Sequence, residues 1–252
     1  MIHAQHSFSF DQPSRRGKLV AYFPVNDPSV PIDRLKAYEA AGVDVVELGL
    51  RTSNPYADGA IVAASMQRAS GIGTVREALS AIKAVKTFSY GALGMIFAYA
   101  EDKLFSDPQE WQDVDALLAL GAPGPNVEKV TEVAAAQGTR ITRFVPYDLP
   151  EPAVAAARKA TGFVFLQYTD GKTGIRQDLD RDLESRVKKL RADGVTAPIF
   201  AGIGISTPDQ AKHAVNAGVD GVVVGSQAVL EAMSGRSALE EYLGRIEEAL
   251  YG

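Results

Sequence analysis

The sequence predicts a single parallel (β/α)8 barrel. Short apolar runs rich in β-formers alternate with stretches of helical apolar spacing, eight times over, across 252 residues. No linker rich in proline, serine or glycine divides the chain, which reads as one domain over 1–252 with a short extension at about 1–17. The glycine-rich turns follow the late strands. An open doubly wound sheet, the alternative, would place one after the first strand.

Composition bounds the function. The chain is 46% hydrophobic, ample for a core, and its net charge of −5 offers nothing to nucleic acid or an anionic membrane. It has no cysteine, hence no disulfide, thiol nucleophile or Cys-metal site. That fits a cytoplasmic protein. Residues 1–18 carry His3, His6 and the pair Arg15-Arg16 but no apolar core of a signal peptide, so they read as a short helix or tail. No apolar run reaches transmembrane length.

In chain order, Leu19–Val25 reads as the first strand, and Asn26-Asp27-Pro28-Ser29 as a turn into a helix over about 31–41. Val45–Leu48 is the second strand. A polar loop with Asn54-Pro55 leads to helices at 60–69 and 74–86, the latter opened by a Thr74/Glu77 capping pattern. Tyr90–Phe97 is the third strand. A short helix at 107–113, a strand at Ala116–Leu120 and a rigid turn at Gly121–Pro125 follow. Next come a helix at 126–136, a strand at Arg140–Val145, a helix at Pro150–Ala160 and a strand at Gly162–Gln167. A long glycine-containing loop, 168–176, precedes a helix at about 179–192. Pro198–Ala201 and Gly221–Val224 complete the strands. Thr207 caps the helix between them, and helices from Gly225-Ser226 and over about 236–250 close the chain.

Two features carry chemistry. Glu47 is a carboxylate within an apolar strand, which costs several kcal/mol unless it is paired or used. Asp58 stands at the far end of the following loop, so the two can flank a ligand as a general acid/base pair. Taken alone, Glu47 could be a structural carboxylate with a cation partner, and Asp58 could cap the helix behind it. The turns Gly202-Ile203-Gly204 and Gly225-Ser226 end the last two strands, where barrels of this kind bind phosphate; tight strand-to-helix turns also use glycine. The substrate implied is a small phosphorylated molecule. His3, His6 and His213 form no metal constellation, and His213 reads as solvent-facing.

These residues resemble the tryptophan synthase α subunit family over almost the whole chain. V-E-L-G-L-R-T-S-N-P-Y-A-D-G is similar to the family's E-L-G-x-P-F-S-D-P-x-A-D-G loop. N-D-P-S, D-G-K-T-G, G-I-G-I-S-T-P-D-Q and V-V-V-G-S resemble further family segments. The resemblance implies a retro-aldol cleavage of indole-3-glycerol phosphate to indole and glyceraldehyde 3-phosphate, without a cofactor. It implies Glu47 as the acid/base that serves the ring carbon and the glycerol hydroxyl, and Asp58 as the partner of the indole N–H. Thr173 matches a lid threonine, though it also suits a plain turn. Gly174, Gly204, Gly225 and Ser226 match the phosphate cradle. Tyr22, Val62, Phe97 and Phe165 match the indole pocket, although the aromatics also suit plain barrel core.

The chain departs from the family pattern in places. Arg51 replaces a proline, Thr52 an aromatic and Asn54 an aspartate, in a loop that faces a β-type subunit in the family. Gly121 replaces an aspartate in another partner-facing loop. Tyr99 replaces an asparagine, Lys172 a small apolar residue, and Thr169 stands where a loop arginine is expected. Arg51 and Lys172 read as solvated charges, or as groups serving a more acidic substrate. The chain thus reads as a divergent, stand-alone lyase. Its alternatives are a related aldolase acting on another phosphorylated substrate, and a non-catalytic α-type subunit that activates a β-type partner. Glu47 and Asp58 favour the lyase, because a pure binding role would not need them.

Overall fold

The computed structural model describes residues 17–69, 75–88, 92–99, 108–121, 125–171 and 179–251. In chain order the elements are β1 (Lys18–Pro24), α1 (Leu35–Ala40), β2 (Val45–Gly49), α2 (Ala60–Arg68), α3 (Val75–Phe88), β3 (Leu93–Tyr99), β4 (Ala116–Leu120), α4 (Pro125–Ala136), β5 (Arg140–Ile141) and β6 (Arg143–Val145). They continue with α5 (Glu151–Ala157), β7 (Val164–Gln167), α6 (Leu183–Ala192), β8 (Ile199–Gly202), α7 (Pro208–Asn216), β9 (Gly221–Val224), α8 (Ser226–Ser234) and α9 (Arg236–Ala249). Short 3-10 turns lie at Ile32–Arg34 and Pro108–Trp111. The extension and the Thr74 of the capping pattern fall outside the described residues.

All pairings are parallel, in the order β5-β4-β3-β2-β1-β9-β8-β7-β6. Among the described residues the expected eight strands become nine segments because the strand read at 140–145 breaks at Thr142. The Thr142 amide bonds the Leu117 carbonyl of β4, and the next amide, Arg143, bonds the Phe163 carbonyl beside β7. One chain segment thus faces both neighbours, and the sheet curls into a nearly closed barrel around this bend.

Strand alternation sorts the side chains. Tyr22, Glu47, Phe97, Leu118, Phe144, Phe165 and Val223 point into the barrel, where they line one cavity. Phe23, one residue along from Tyr22, points outward and meets Tyr38 of α1 edge-on at 6.0 Å between ring centroids. The Tyr38 hydroxyl donates to the Tyr22 carbonyl at 2.7 Å. Helix α7 opens on the expected cap: Thr207 accepts from the Gln210 amide, and the Gln210 side chain returns the bond.

His213 corrects its expectation. It is half-buried on α7, with Nδ1 3.2 Å from the hydroxyl of the buried Tyr168. Helix α7 packs toward the base of the loop after β7, and that contact shelters the ring.

Candidate active site

The first βα loop is tied to helix α2. Asn26 adopts a left-handed φ of 62°, which turns the chain and buries Asp27. Asp27 accepts from Arg68 at 2.7 and 3.1 Å and from the Ser65 hydroxyl. Burial alone would raise this carboxyl, but the bonds from Arg68 and Ser65 outweigh it and hold its pKa below the usual value. Ser65 and Arg68 lie three and six residues past Val62 on α2. That helix is therefore fixed to loop 1 by Ser65 and Arg68 while Val62 lines the cavity.

The cavity lies at the carboxyl ends of the strands and opens to solvent, with about 640 Å³ of empty space counting its open mouth. Nine of the residues singled out in the sequence line it: Tyr22, Glu47, Asp58, Val62, Phe97, Phe165, Gly204, Gly225 and Ser226. Thr173 and Gly174, with Lys172, lie outside the described residues. Arg51 lies on the exposed outer part of the second loop. Leu118, Leu120 and Phe144 line the cavity without having been singled out. Their only sequence signal is strand alternation, which does not tell a ligand-facing residue from core.

Glu47 is 4% exposed. Burial, and then the neighbouring Asp58 charge, push its pKa up to about 8. It is therefore a protonated acid at neutral pH, next to a second carboxyl in the same cavity. Asp58 does not cap α2: the cap position is Gly59, and no side-chain bond is made there. Its carboxylate instead accepts from the Tyr99 hydroxyl at 2.6 Å.

Two glycine turns form another wall of the cavity. Ile203 and Gly204 both adopt left-handed φ, 64° and 110°. A β-branched residue there is strained, and such strain clusters at ligand sites. A Cβ on Gly204 would lie 2.5 Å from the Thr169 hydroxyl, so only glycine fits. At the end of the neighbouring strand β9, Gly225 caps α8, and Ser226 opens that nine-residue helix with a buried Oγ that has no hydrogen-bond partner among the described residues. A helix N-terminus and an unsatisfied hydroxyl facing a cavity suit a phosphate.

Tyr22 carries a second such hydroxyl. Among the described residues its oxygen is buried without a partner, against Gly49, where any Cβ would sit 2.0 Å away. Burial, then the charges of Asp58 and Glu47, raise its pKa and keep it protonated. Tyr22→Phe is expected to stabilise the free protein by about 1 kcal/mol, since it removes an unmet polar group and keeps the ring. A rise in the calorimetric midpoint of roughly 2–4 °C would show this; a fall would mean the hydroxyl is satisfied in solution.

Fold and cavity together define a parallel α/β barrel with two buried carboxyls lining the cavity at the strand ends. Comparison with known proteins places it. The family model "Tryptophan synthase alpha chain" matches residues 8–249. The tryptophan synthase alpha chain of Pelobacter propionicus is 30% identical over 267 residues, covering 100% of this chain and 99% of that relative. That of Geobacter sp. strain M21 is 32% identical over 244 residues, covering 92% of this chain and 90% of its own. Among solved structures, Mycobacterium tuberculosis tryptophan synthase superposes with a TM-score of 0.80 at 24% identity, covering 94% of this chain and 93% of that one. The Legionella pneumophila alpha subunit gives 0.77 at 19%, with 93% and 92% covered. The chain belongs to the tryptophan synthase alpha chain family and is a carbon–carbon lyase of that family. Among the described residues, no group of three or more His, Cys, Asp or Glu could hold a metal ion, and no helix is long and apolar enough to cross a membrane.

Proposed function

We propose that Glu47 and Asp58 carry out the retro-aldol cleavage of indole-3-glycerol phosphate to indole and glyceraldehyde 3-phosphate. The observation that carries this reading is a buried glutamic acid, protonated at neutral pH, in the same cavity as a second carboxyl and an anion-ready turn pair. Gly204, Gly225 and Ser226 hold the substrate phosphate, joined by Gly174. The aromatic walls Tyr22, Phe97 and Phe165 with Val62 take the indole, and the resemblance adds Thr173 to this pocket.

The proton inventory closes on one residue. Glu47 gives its proton to the ring carbon that bears the side chain, while Asp58 accepts a hydrogen bond from the ring N–H and stabilises the positive charge there. The Glu47 carboxylate then takes the proton of the glycerol hydroxyl on the adjacent carbon. The C–C bond breaks, its electron pair returns to the ring, and glyceraldehyde 3-phosphate forms. Glu47 ends protonated as it began, and no cofactor is required.

Alpha chains of this family pair with a β subunit. In this chain the expected partner-facing positions carry Arg51, Asn54 and Gly121, with the first two exposed. These substitutions favour a cytoplasmic lyase that releases indole alone. The test is an assay for indole release from indole-3-glycerol phosphate by the purified chain. Release at a useful rate without a partner, with no further gain when a tryptophan synthase β subunit is added, is the expected result. No release with or without that subunit would overturn the substrate assignment.

A further inference from the structure

Three consecutive residues of the loop after β2 dock on a single phenol. Tyr99 is the last residue of β3 and is 4% exposed. Its hydroxyl donates to Asp58 Oδ2 at 2.6 Å and accepts from the Ala57 amide at 3.3 Å. The Tyr56 ring meets it edge-on, with centroids 5.0 Å apart. On the strand side the ring rests against Phe97, a cavity wall, at 5.5 Å. The loop that carries Asp58 is thus seated on the rigid end of the neighbouring strand through one side chain.

We propose that Tyr99 is the positioning residue that sets Asp58 in its catalytic geometry from within the chain. The proposal rests on the reading of Asp58 as a catalytic carboxylate. The direction of the bond is fixed chemically: burial, and then the Asp58 charge, keep the phenol protonated, so it is the donor. A carboxylate has about four acceptor sites, so a bond from Tyr99 still allows Asp58 to receive a ring N–H. A strand-borne anchor holds such a group more tightly than a loop alone. The resemblance led to asparagine at this position. A shorter amide would not offer a ring for Tyr56 and Phe97 to pack on.

The experiment is a double-mutant cycle on indole release with the full chain: parent, Tyr99→Phe, Asp58→Asn and both together. Phenylalanine keeps the ring contacts and deletes only the hydroxyl. Tyr99→Phe is expected to lower kcat roughly ten- to hundredfold, the range for a lost hydrogen bond to a charged group, with KM changed less than about threefold. In the Asp58→Asn background the same change should cost less than about twofold, because the carboxylate it positions is gone. Equal losses in both backgrounds, or none in the parent, would overturn the proposal. The reading of Asp58 fails separately, if Asp58→Asn turns over as fast as the parent. Hydrogen exchange at the Ala57 amide tests the anchor without turnover. It should quicken by about tenfold or more in Tyr99→Phe, and unchanged protection would overturn the proposal whatever the activity.

Discussion

Glu47→Gln is expected to abolish most turnover while making the folded chain more stable above neutral pH. The amide can neither protonate the ring carbon nor take the hydroxyl proton, and removal of a general acid/base costs about 10²–10⁴-fold in kcat. Stability moves the other way because the carboxyl is buried with its pKa raised from 4.5 to about 8. The folded state holds this proton more tightly than the unfolded chain does. The contribution is therefore fully present below pH 4.5 and is lost as pH rises through about 8. Each pH unit in that window costs the parent about 1.4 kcal/mol, on the order of 4 kcal/mol by pH 8. Glutamine has no such dependence. Urea unfolding at pH 5, 7 and 9 should show the two proteins converging at low pH and the variant ahead at pH 9. A parent whose stability does not fall across this window would refute the burial of a protonated Glu47. The same ionisation should bend kcat/KM downward above about pH 8, as the acid form disappears.

Glu47 was visible in sequence because it is a carboxylate in a buried strand. A charge in an otherwise apolar strand breaks the local rule, and such breaks mark sites. The glycines after the last two strands were legible for the same reason, since a backbone that must turn tightly near an anion leaves a compositional trace. The break at Thr142 was not legible: its cause is where two neighbouring strands present carbonyls, and no local propensity encodes that. Tyr99 stood in the sequence only as a departure from a family pattern. That it reaches Asp58, forty-one residues away in the chain, depends on β2 and β3 pairing in register, with Gly49 opposite Phe97. His213 looked solvent-facing because helical spacing gives a face but not what packs against it.

The base of the loop after β7 supplies the largest expected loss of stability. Arg186 of α6 is 7% exposed. One of its terminal nitrogens donates to the Gln167 carbonyl at 2.8 Å; the other donates to the Tyr168 carbonyl at 3.0 Å and pairs with Asp180. Its guanidinium lies over the Tyr147 ring, 4.1 Å from the centroid. The carbonyls begin the loop and Asp180 ends it, so one guanidinium holds both ends. Gln167 adds to the clamp by donating to the Thr169 and Gly171 carbonyls at 2.8 and 2.7 Å. Thr169 in turn touches the Gly204 turn, its hydroxyl donating to the Ile203 carbonyl at 3.0 Å. Arg186→Ala leaves Asp180 buried without its counter-charge and strands two carbonyls. The expected cost is roughly 3–5 kcal/mol, a fall in thermal midpoint of about 10 °C for a chain of this size. Arg186→Lys should recover less than half, because a point charge neither forks to three acceptors nor stacks on Tyr147. Removing both charges, with Arg186→Met and Asp180→Asn, should recover more than either single change, because no buried carboxylate is then left unpaired. The loop base and the anion-ready turn share Thr169, so the variants that remain folded should also bind the phosphorylated substrate more weakly, with KM rising before kcat falls. A Tm unchanged in Arg186→Ala would show that the clamp is solvated and contributes nothing to the fold.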